Sequence, residues 1–242
     1  MRGGIAVLAV LAIALVLLLA HRLPGFNGLQ RSSLRLGSCI GNTAYVGIPL
    51  ALAFLPNEAL PISIGYDLGA TLLTWSLGPM FIGAAPLGRS PLWSHWFINL
   101  SSSPATRGLL GALLVQWTPW NSVVAEALWW PSRAVIVVAL VVVGMRLGSL
   151  SRDAVSLSPT RLGLVQALVV KLGLYPGLLL LLGFVLQLNP LMIQAITLQG
   201  AAPTAISLLL IAESVGVDQE RAAGLVFWST VLSLITASLW GT

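Results

Sequence analysis

The sequence has few charged residues, one cysteine and two histidines. Only 8% of its 242 residues are Asp, Glu, Lys or Arg, whereas 57% are hydrophobic. A soluble domain carries roughly 25% charged residues, so this chain has too few polar side chains to cover its surface in water. Cys39 allows no intrachain disulfide. A structural zinc site takes four Cys or His ligands, and the chain has only three such residues. We therefore expect no metal, and we expect no other cofactor.

Long apolar runs fill the chain and predict an all-α polytopic membrane protein. A helix needs about 20 apolar residues to cross roughly 30 Å of hydrocarbon. Proline and glycine separate most of the runs, which gives about eight transmembrane segments. Their bounds are 4–20, 36–55, 62–84, 105–119, 123–147, 162–187, 190–214 and 221–241. The net charge of +5 does not indicate nucleic acid as a partner, because the arginines lie singly between the runs.

The first run, residues 4–20, has two interpretations. It follows Arg2, as the apolar core of a cleaved signal peptide would, or it is a retained helix. The run is longer than a usual signal-peptide core, and Leu18-Leu19-Ala20 is a poor cleavage site, so we favour the retained helix.

The arginines predict the orientation of the segments. Nine of them fall in alternate loops, and the opposite side receives only Arg2 and Arg133. Cytoplasmic loops of membrane proteins carry the excess of Lys and Arg. We therefore predict a multi-pass protein of the plasma or inner membrane, with the bilayer as a partner and both termini outside the cytoplasm.

Two of the segments contain helix-breaking residues in their middle. The second has Gly41 to Pro49, and the seventh has Gln199 to Thr204. Lipid cannot satisfy the backbone groups freed by a break, so such backbone must face protein or a water-filled cavity. Glycine and proline are also common in intact membrane helices, but each break here lies in the middle member of a three-segment group. The predicted topology relates the two groups by inversion, as in inverted-repeat transporters.

The string Gly-Asn-Thr-Ala-Tyr-Val-Gly-Ile-Pro-Leu at 41–50 resembles the auxin efflux carrier family, including its bacterial permeases. Residues 202–205 and 210–213, followed by Asp218 and Ser229-Thr230, resemble the C-terminal part of that family. The resemblance covers most of the chain, and these two stretches are its specific part. It implies an inverted-repeat carrier fold, like that of sodium–proton antiporters and bile acid symporters, in which two broken helices cross at the substrate site.

The same resemblance implies a division of the chain. Residues 1–85 would form the transport triplet of the first repeat and 86–104 an interfacial linker. Residues 105–150 would form a scaffold helix pair, and 151–242 the second triplet. Full-length relatives have ten helices, and this chain would begin at their third. We expect either a truncated start site or an eight-helix form that needs a partner, and the scaffold pair could also carry a homodimer contact.

The predicted substrate-binding residues lie at the two breaks. The resemblance assigns Asn42 and Pro49 to the first crossover and Pro203 to the second. Asn42 and Thr43 can donate hydrogen bonds to a carboxylate, or they can cap the broken helix. The full predicted set is Gly41, Asn42, Thr43, Gly47, Pro49, Gly200, Pro203 and Thr204.

Asp67 and Lys171 are the predicted proton- or charge-carrying residues, because an ionisable side chain inside a membrane segment is costly and needs a partner. Asp67 follows Pro61 by only about two turns, so it either carries a proton or lies at the interface. Lys171 either stays inside, where it could attract an anion, or extends to the cytoplasmic surface.

These features predict a secondary carrier or uniporter for a small organic anion such as a carboxylate. The carrier would move the anion by alternating access, in the direction of efflux. The alternative is a non-transporting or partner-dependent membrane subunit derived from a truncated carrier. We do not expect an enzyme, because an aspartyl dyad needs two buried carboxylates and only Asp67 is suitably placed.

Overall fold

The computed structural model describes residues 2–22, 27–83, 101, 104–154 and 162–241. Over these residues the secondary structure is helical, apart from turns and one isolated β-bridge. The linker predicted at 86–104 lies outside the described residues except for Ser101 and Pro104.

The first group of helices begins with one straight helix and continues with a broken one. Helix α1 packs along its length on α4, and Gly69 of α4 lies directly against the backbone of Ala6, where a Cβ would come within 2.2 Å of a carbonyl oxygen. The elements are α1 (Arg2–Leu19), 3₁₀ turns (Ala20–Arg22 and Asn27–Gln30), α2 (Ser32–Gly37), a π-helical turn (Thr43–Gly47), α3 (Ile48–Phe54), a 3₁₀ turn (Asn57–Ala59) and α4 (Leu60–Ile82).

The described residues of the second part of the chain form eight α-helices and one π-helical turn. The elements are α5 (Pro104–Gln116), α6 (Asn121–Ala127), α7 (Trp129–Ala154), α8 (Leu162–Val169), a π-helical turn (Val170–Leu174), α9 (Tyr175–Val185), α10 (Pro190–Ala201), α11 (Ser207–Val215) and α12 (Gln219–Trp240). Helices α8 and α9 form one continuous rod through the π-helical turn.

By length and apolar composition, two helical stretches of the described residues are able to cross a membrane. They are Leu162–Val185 and Gln219–Trp240. The count of eight spans therefore remains a prediction, although a helical element corresponds to each of the eight apolar runs.

The helix predicted at 123–147 differs most from its prediction. It is divided at Leu128 into α6 and α7, and α7 continues to Ala154. Pro131 lies in the first turn of α7, where its missing N–H costs nothing and where it favours the start of a new helix. The helix extends beyond the apolar run because backbone hydrogen bonding does not require apolar side chains and continues through the polar residues that follow.

The core lies among α1, α2, α4 and α8 to α12, whose inward faces are buried. In contrast, helix α6 has no buried residue, and Trp117, directly after α5, and Trp130 of α7 are 84% and 74% exposed. Large apolar side chains that are exposed to this extent are unsuited to water. The described residues of α5 to α7 thus form a peripheral layer around a packed core.

Candidate functional site

Both predicted breaks interrupt the helices in which they lie. The first falls between α2 and the π-helical turn, where residues 40–42 are not helical. The second falls at residues 202–206, between α10 and α11. Pro49 lies within the first turn of α3, which directly continues the π-helical turn. The first break therefore precedes Pro49, which lies on the helical side of it.

The two breaks pair with each other through their backbones. The N–H of Asn42 donates to the carbonyl of Pro203 at 2.7 Å, and the N–H of Ala205 donates to the carbonyl of Ile40 at 3.4 Å. Gly41 and Thr204 form an antiparallel bridge between these bonds. Each break therefore satisfies the backbone groups that the other has freed, which is how non-helical backbone can persist away from water.

Thr204 holds the second break to two other elements. Its hydroxyl donates to the carbonyl of Gly37, the last residue of α2, at 3.0 Å. Its backbone N–H donates to the hydroxyl of Ser229 on α12, also at 3.0 Å. Thr204 is fully buried, so both of its donors are used to hold the crossing together.

Asn42 lies at the first break with its side-chain amide unused. Only 7% of the residue is exposed, and its backbone carbonyl accepts hydrogen bonds from the N–H groups of Val46 and Gly47. Its side chain makes no capping hydrogen bond, so the capping interpretation does not describe this structure. Among the residues described, nothing bonds to the Asn42 amide. Unlike those of Gln199, its side-chain nitrogen and oxygen are not fully buried, so the amide is open to a ligand.

Asp67 is held by hydroxyl groups. The Thr43 hydroxyl donates to one carboxylate oxygen of Asp67, and the Thr71 hydroxyl donates to the same oxygen at 3.5 Å. Thr43 thereby connects the turn after the first break to α4.

Lys171 is fully buried in the π-helical turn between α8 and α9. Its ammonium donates to the carbonyl of Gly200 at 2.8 Å and lies 4.9 Å from the ring centroid of Tyr175. The Tyr175 hydroxyl is hydrogen-bonded to the Tyr66 hydroxyl at 2.6 Å. The Lys171 side chain thus stays inside the protein, at the second break, and does not extend to the interface.

Two of the predicted glycines are positions of close packing. A Cβ on Gly200 would come within 2.4 Å of a Leu179 methyl group on α9. A Cβ on Gly47 would come within 2.3 Å of the Gln199 side-chain oxygen. Gly200 therefore contributes its carbonyl, which binds Lys171, and its lack of a side chain allows α9 to approach.

Gln199 is a further polar residue of the site, and the sequence indicates it less strongly than Asn42 and Thr43. It is fully buried on the last turn of α10, and neither its Oε1 nor its Nε2 atom has a hydrogen-bond partner among the described residues. Its position directly before Gly200 was visible in the sequence. What the sequence could not show is that this amide faces Gly47 of the other broken helix.

Comparison with known proteins identifies the family. A family model described as "Membrane transport protein" matches residues 92–241. The chain belongs to this family. It is the auxin efflux carrier family that residues 41–50 and 202–213 resemble, so that prediction is confirmed.

Two relatives within this transport group come from archaea. An uncharacterized transporter of Methanothermobacter thermautotrophicus is 23% identical over 230 residues, which cover 90% of this chain and 70% of the relative. An uncharacterized transporter of Methanocaldococcus jannaschii is 24% identical over 215 residues, covering 84% of this chain and 65% of the relative. The chain thus spans about two thirds of the length of these relatives. No solved structure matches it. Membrane location and transport of a small molecule follow from the family.

Proposed function

We propose that this protein is a secondary carrier or uniporter that moves a small organic anion, such as a carboxylate, by alternating access. The observation that carries the proposal is the backbone pairing of the two breaks, with the unused Asn42 amide beside it. Among the described residues, Asn42 is the polar side chain of the crossing that is both unpartnered and not completely enclosed.

The crossing suits an anion because two helices begin there. The π-helical turn and α3 run from Thr43 to Phe54, and α11 begins at Ser207. The first N–H groups of a helix have no intrahelical acceptor, and the helix dipole makes that end positive. A carboxylate can accept hydrogen bonds from such N–H groups and from the Asn42 amide, without a further charged side chain in contact with it.

The proposed motion follows the division expected from the sequence. Helices α1 to α4 and α8 to α12 would form two inverted transport triplets that share the crossing. They would move against α5 to α7, which are largely exposed in the residues described. Binding near the interface of two inverted repeats, with rocking of one bundle against another, is the general scheme of such carriers.

The membrane potential favours efflux in this proposal. A negative interior drives an anion outward with roughly 2.3 kcal/mol per charge per 100 mV, so export requires no coupled ion. Import would require coupling, and the Asp67 carboxylate beside Thr43 is the candidate proton carrier for that direction.

The test is a thermal-shift screen of carboxylates on the purified protein, repeated with Asn42→Ala. We expect at least one carboxylate to raise the Tm of the unaltered protein and to have little effect on the variant. Asn57→Ala is the matched control, because Asn57 is an exposed amide in the turn before α4. The stabilising carboxylate is then used for flux measurements in liposomes. An equal ligand response in Asn42→Ala and the unaltered protein would refute the site.

A partner-dependent membrane subunit is the second candidate. The observation that favours it is the exposure of large apolar side chains on α5 to α7, which a partner could cover. In that case the purified chain would bind the carboxylate through Asn42 but would not carry it across a liposome membrane. Flux by the chain alone would exclude this candidate.

A further inference from the structure

Lys171 is a buried ammonium without an acidic partner. It is the only lysine in the chain and is fully buried. Among the described residues no carboxylate forms an ion pair with it, and Asp67 is bonded to Thr43 and Thr71 instead. A buried charge without a counter-ion is strongly unfavourable unless other groups stabilise it. The groups around this ammonium therefore indicate what the position is built to hold.

The first of these groups is a carbonyl at a helix end. Gly200 is in the last turn of α10, and its carbonyl would bond to the N–H of residue 204 if the helix continued. That N–H donates to Ser229 instead, so the Gly200 carbonyl is free to accept from Lys171 at 2.8 Å. The C-terminal end of a helix carries a partial negative charge that favours a cation.

The other groups around the ammonium are backbone and an aromatic face. The point where a Gly41 Cβ would lie is 3.3 Å from Lys171 Nζ and 3.5 Å from the Gln199 carbonyl oxygen. The ammonium thus lies between the end of α10 and the non-helical residues of the first break. The Tyr175 ring lies on another side and is fixed by the hydroxyl of Tyr66. A carbonyl oxygen at a helix end and an aromatic ring are surroundings that suit a cation.

We propose that the Lys171 ammonium takes the place of a coupling cation at the crossing. In carriers with broken helices, half-helix C-terminal ends and unwound carbonyls coordinate Na⁺ or H⁺. Here the tethered ammonium occupies such a position permanently, so the carrier works without sodium. This inference rests on the proposed carrier function and adds which group supplies the positive charge at the crossing. Removal of the ammonium opens the position to a free cation.

The first measurement uses the unaltered protein without any organic anion. Its Tm is compared in sodium chloride, potassium chloride and choline chloride at equal ionic strength. We expect the three values to agree within about 1 °C, because the position is already filled. A Tm about 3 °C or more higher in sodium than in choline, the size that saturable binding would produce, would overturn the proposal.

The second measurement uses Lys171→Ala and Lys171→Gln in the same salts. Both lose the charge, and the glutamine keeps a polar side chain of similar size, which protects its folding. We expect a lower Tm in choline and recovery by about 3 °C or more in sodium or potassium. Arg133→Ala is the control, since Arg133 is an exposed cation over the Trp129 ring, and it should gain no such response.

A Lys171→Gln protein that folds but responds equally to choline and sodium would also overturn the proposal. Variants that can be purified only in sodium or potassium would support it. If neither variant can be purified in any salt, the measurement on the unaltered protein decides. None of these measurements contains a carboxylate, so their failure is distinct from failure of the Asn42 site, which is judged by the carboxylate screen alone.

Discussion

The two broken helices are joined by the same kind of backbone hydrogen bond, yet they use their polar side chains differently. At the first break, the Asn42 amide has no partner among the described residues. At the second, the Thr204 hydroxyl and N–H are both bonded to neighbouring elements. The second break therefore fixes the crossing in place, whereas the first presents a free polar group at it. Variants at each break should separate these two roles.

The largest effect is expected from Thr204→Val combined with Ser229→Ala. The pair leaves the Gly37 carbonyl and the Thr204 N–H buried without partners, at about 1–3 kcal/mol each. We expect Tm to fall by about 4 °C or more, while a carboxylate still stabilises the variant. Differential scanning fluorimetry measures both. Thr230→Val is the control, because its hydroxyl bonds only within α12. An unchanged Tm in the double variant would show that the second break does not hold the crossing.

Asn42→Ala should show the opposite pattern. It breaks no hydrogen bond of the described residues, so Tm without ligand should stay within about 1 °C. Loss of a hydrogen bond to a charged ligand costs about 1.5–3 kcal/mol, so the Kd for the stabilising carboxylate should rise by about tenfold or more. A titration followed by fluorimetry gives the Kd. A large fall in Tm with an unchanged Kd would reverse the roles that we assign to the two breaks.

Gly47→Ala tests the contact between the broken helices. The added Cβ would meet the buried Gln199 side chain at 2.3 Å, and overpacking of this kind costs about 1–3 kcal/mol. We expect a lower Tm in thermal denaturation of the purified variant. Gly173→Ala is the matched control, because a Cβ there meets nothing within 4 Å. Equal Tm values for the two variants would contradict close packing at Gly47.

The smallest effect is expected from Thr43→Val, which removes the hydroxyl that donates to Asp67. Loss of one such bond costs about 0.5–1.5 kcal/mol. Thr71→Val should cost less, because its hydroxyl lies 3.5 Å from the same oxygen. Thermal shifts of the two variants give the order, and a larger effect from Thr71→Val would show that the Thr43 contact contributes little.

Helical content and the two breaks could be predicted because they depend on local sequence. Apolar length marks the helices, and glycine and proline mark the breaks. The bounds were less accurate where a helix outlasts its apolar run, as α7 does. Pro49 was assigned to the break, but in the structure it lies in the first turn of α3, since a proline alone does not reveal on which side of it the helix lies. The linker at 86–104 lies largely outside the described residues, and the eight-span count stays a prediction.

The sequence by itself determined that this is a helical membrane protein, because an 8% charged chain cannot cover a soluble surface. Two motifs also determined its family. Only the tertiary structure decided which residues meet. Asn42 bonds to Pro203, and Lys171 bonds to Gly200, although 161 and 29 positions separate them along the chain. Each of these contacts joins groups that are unsatisfied in their own segment. Hydropathy and spacing show which segments contain groups that need a hydrogen-bond partner. Only the fold determines which distant group is that partner.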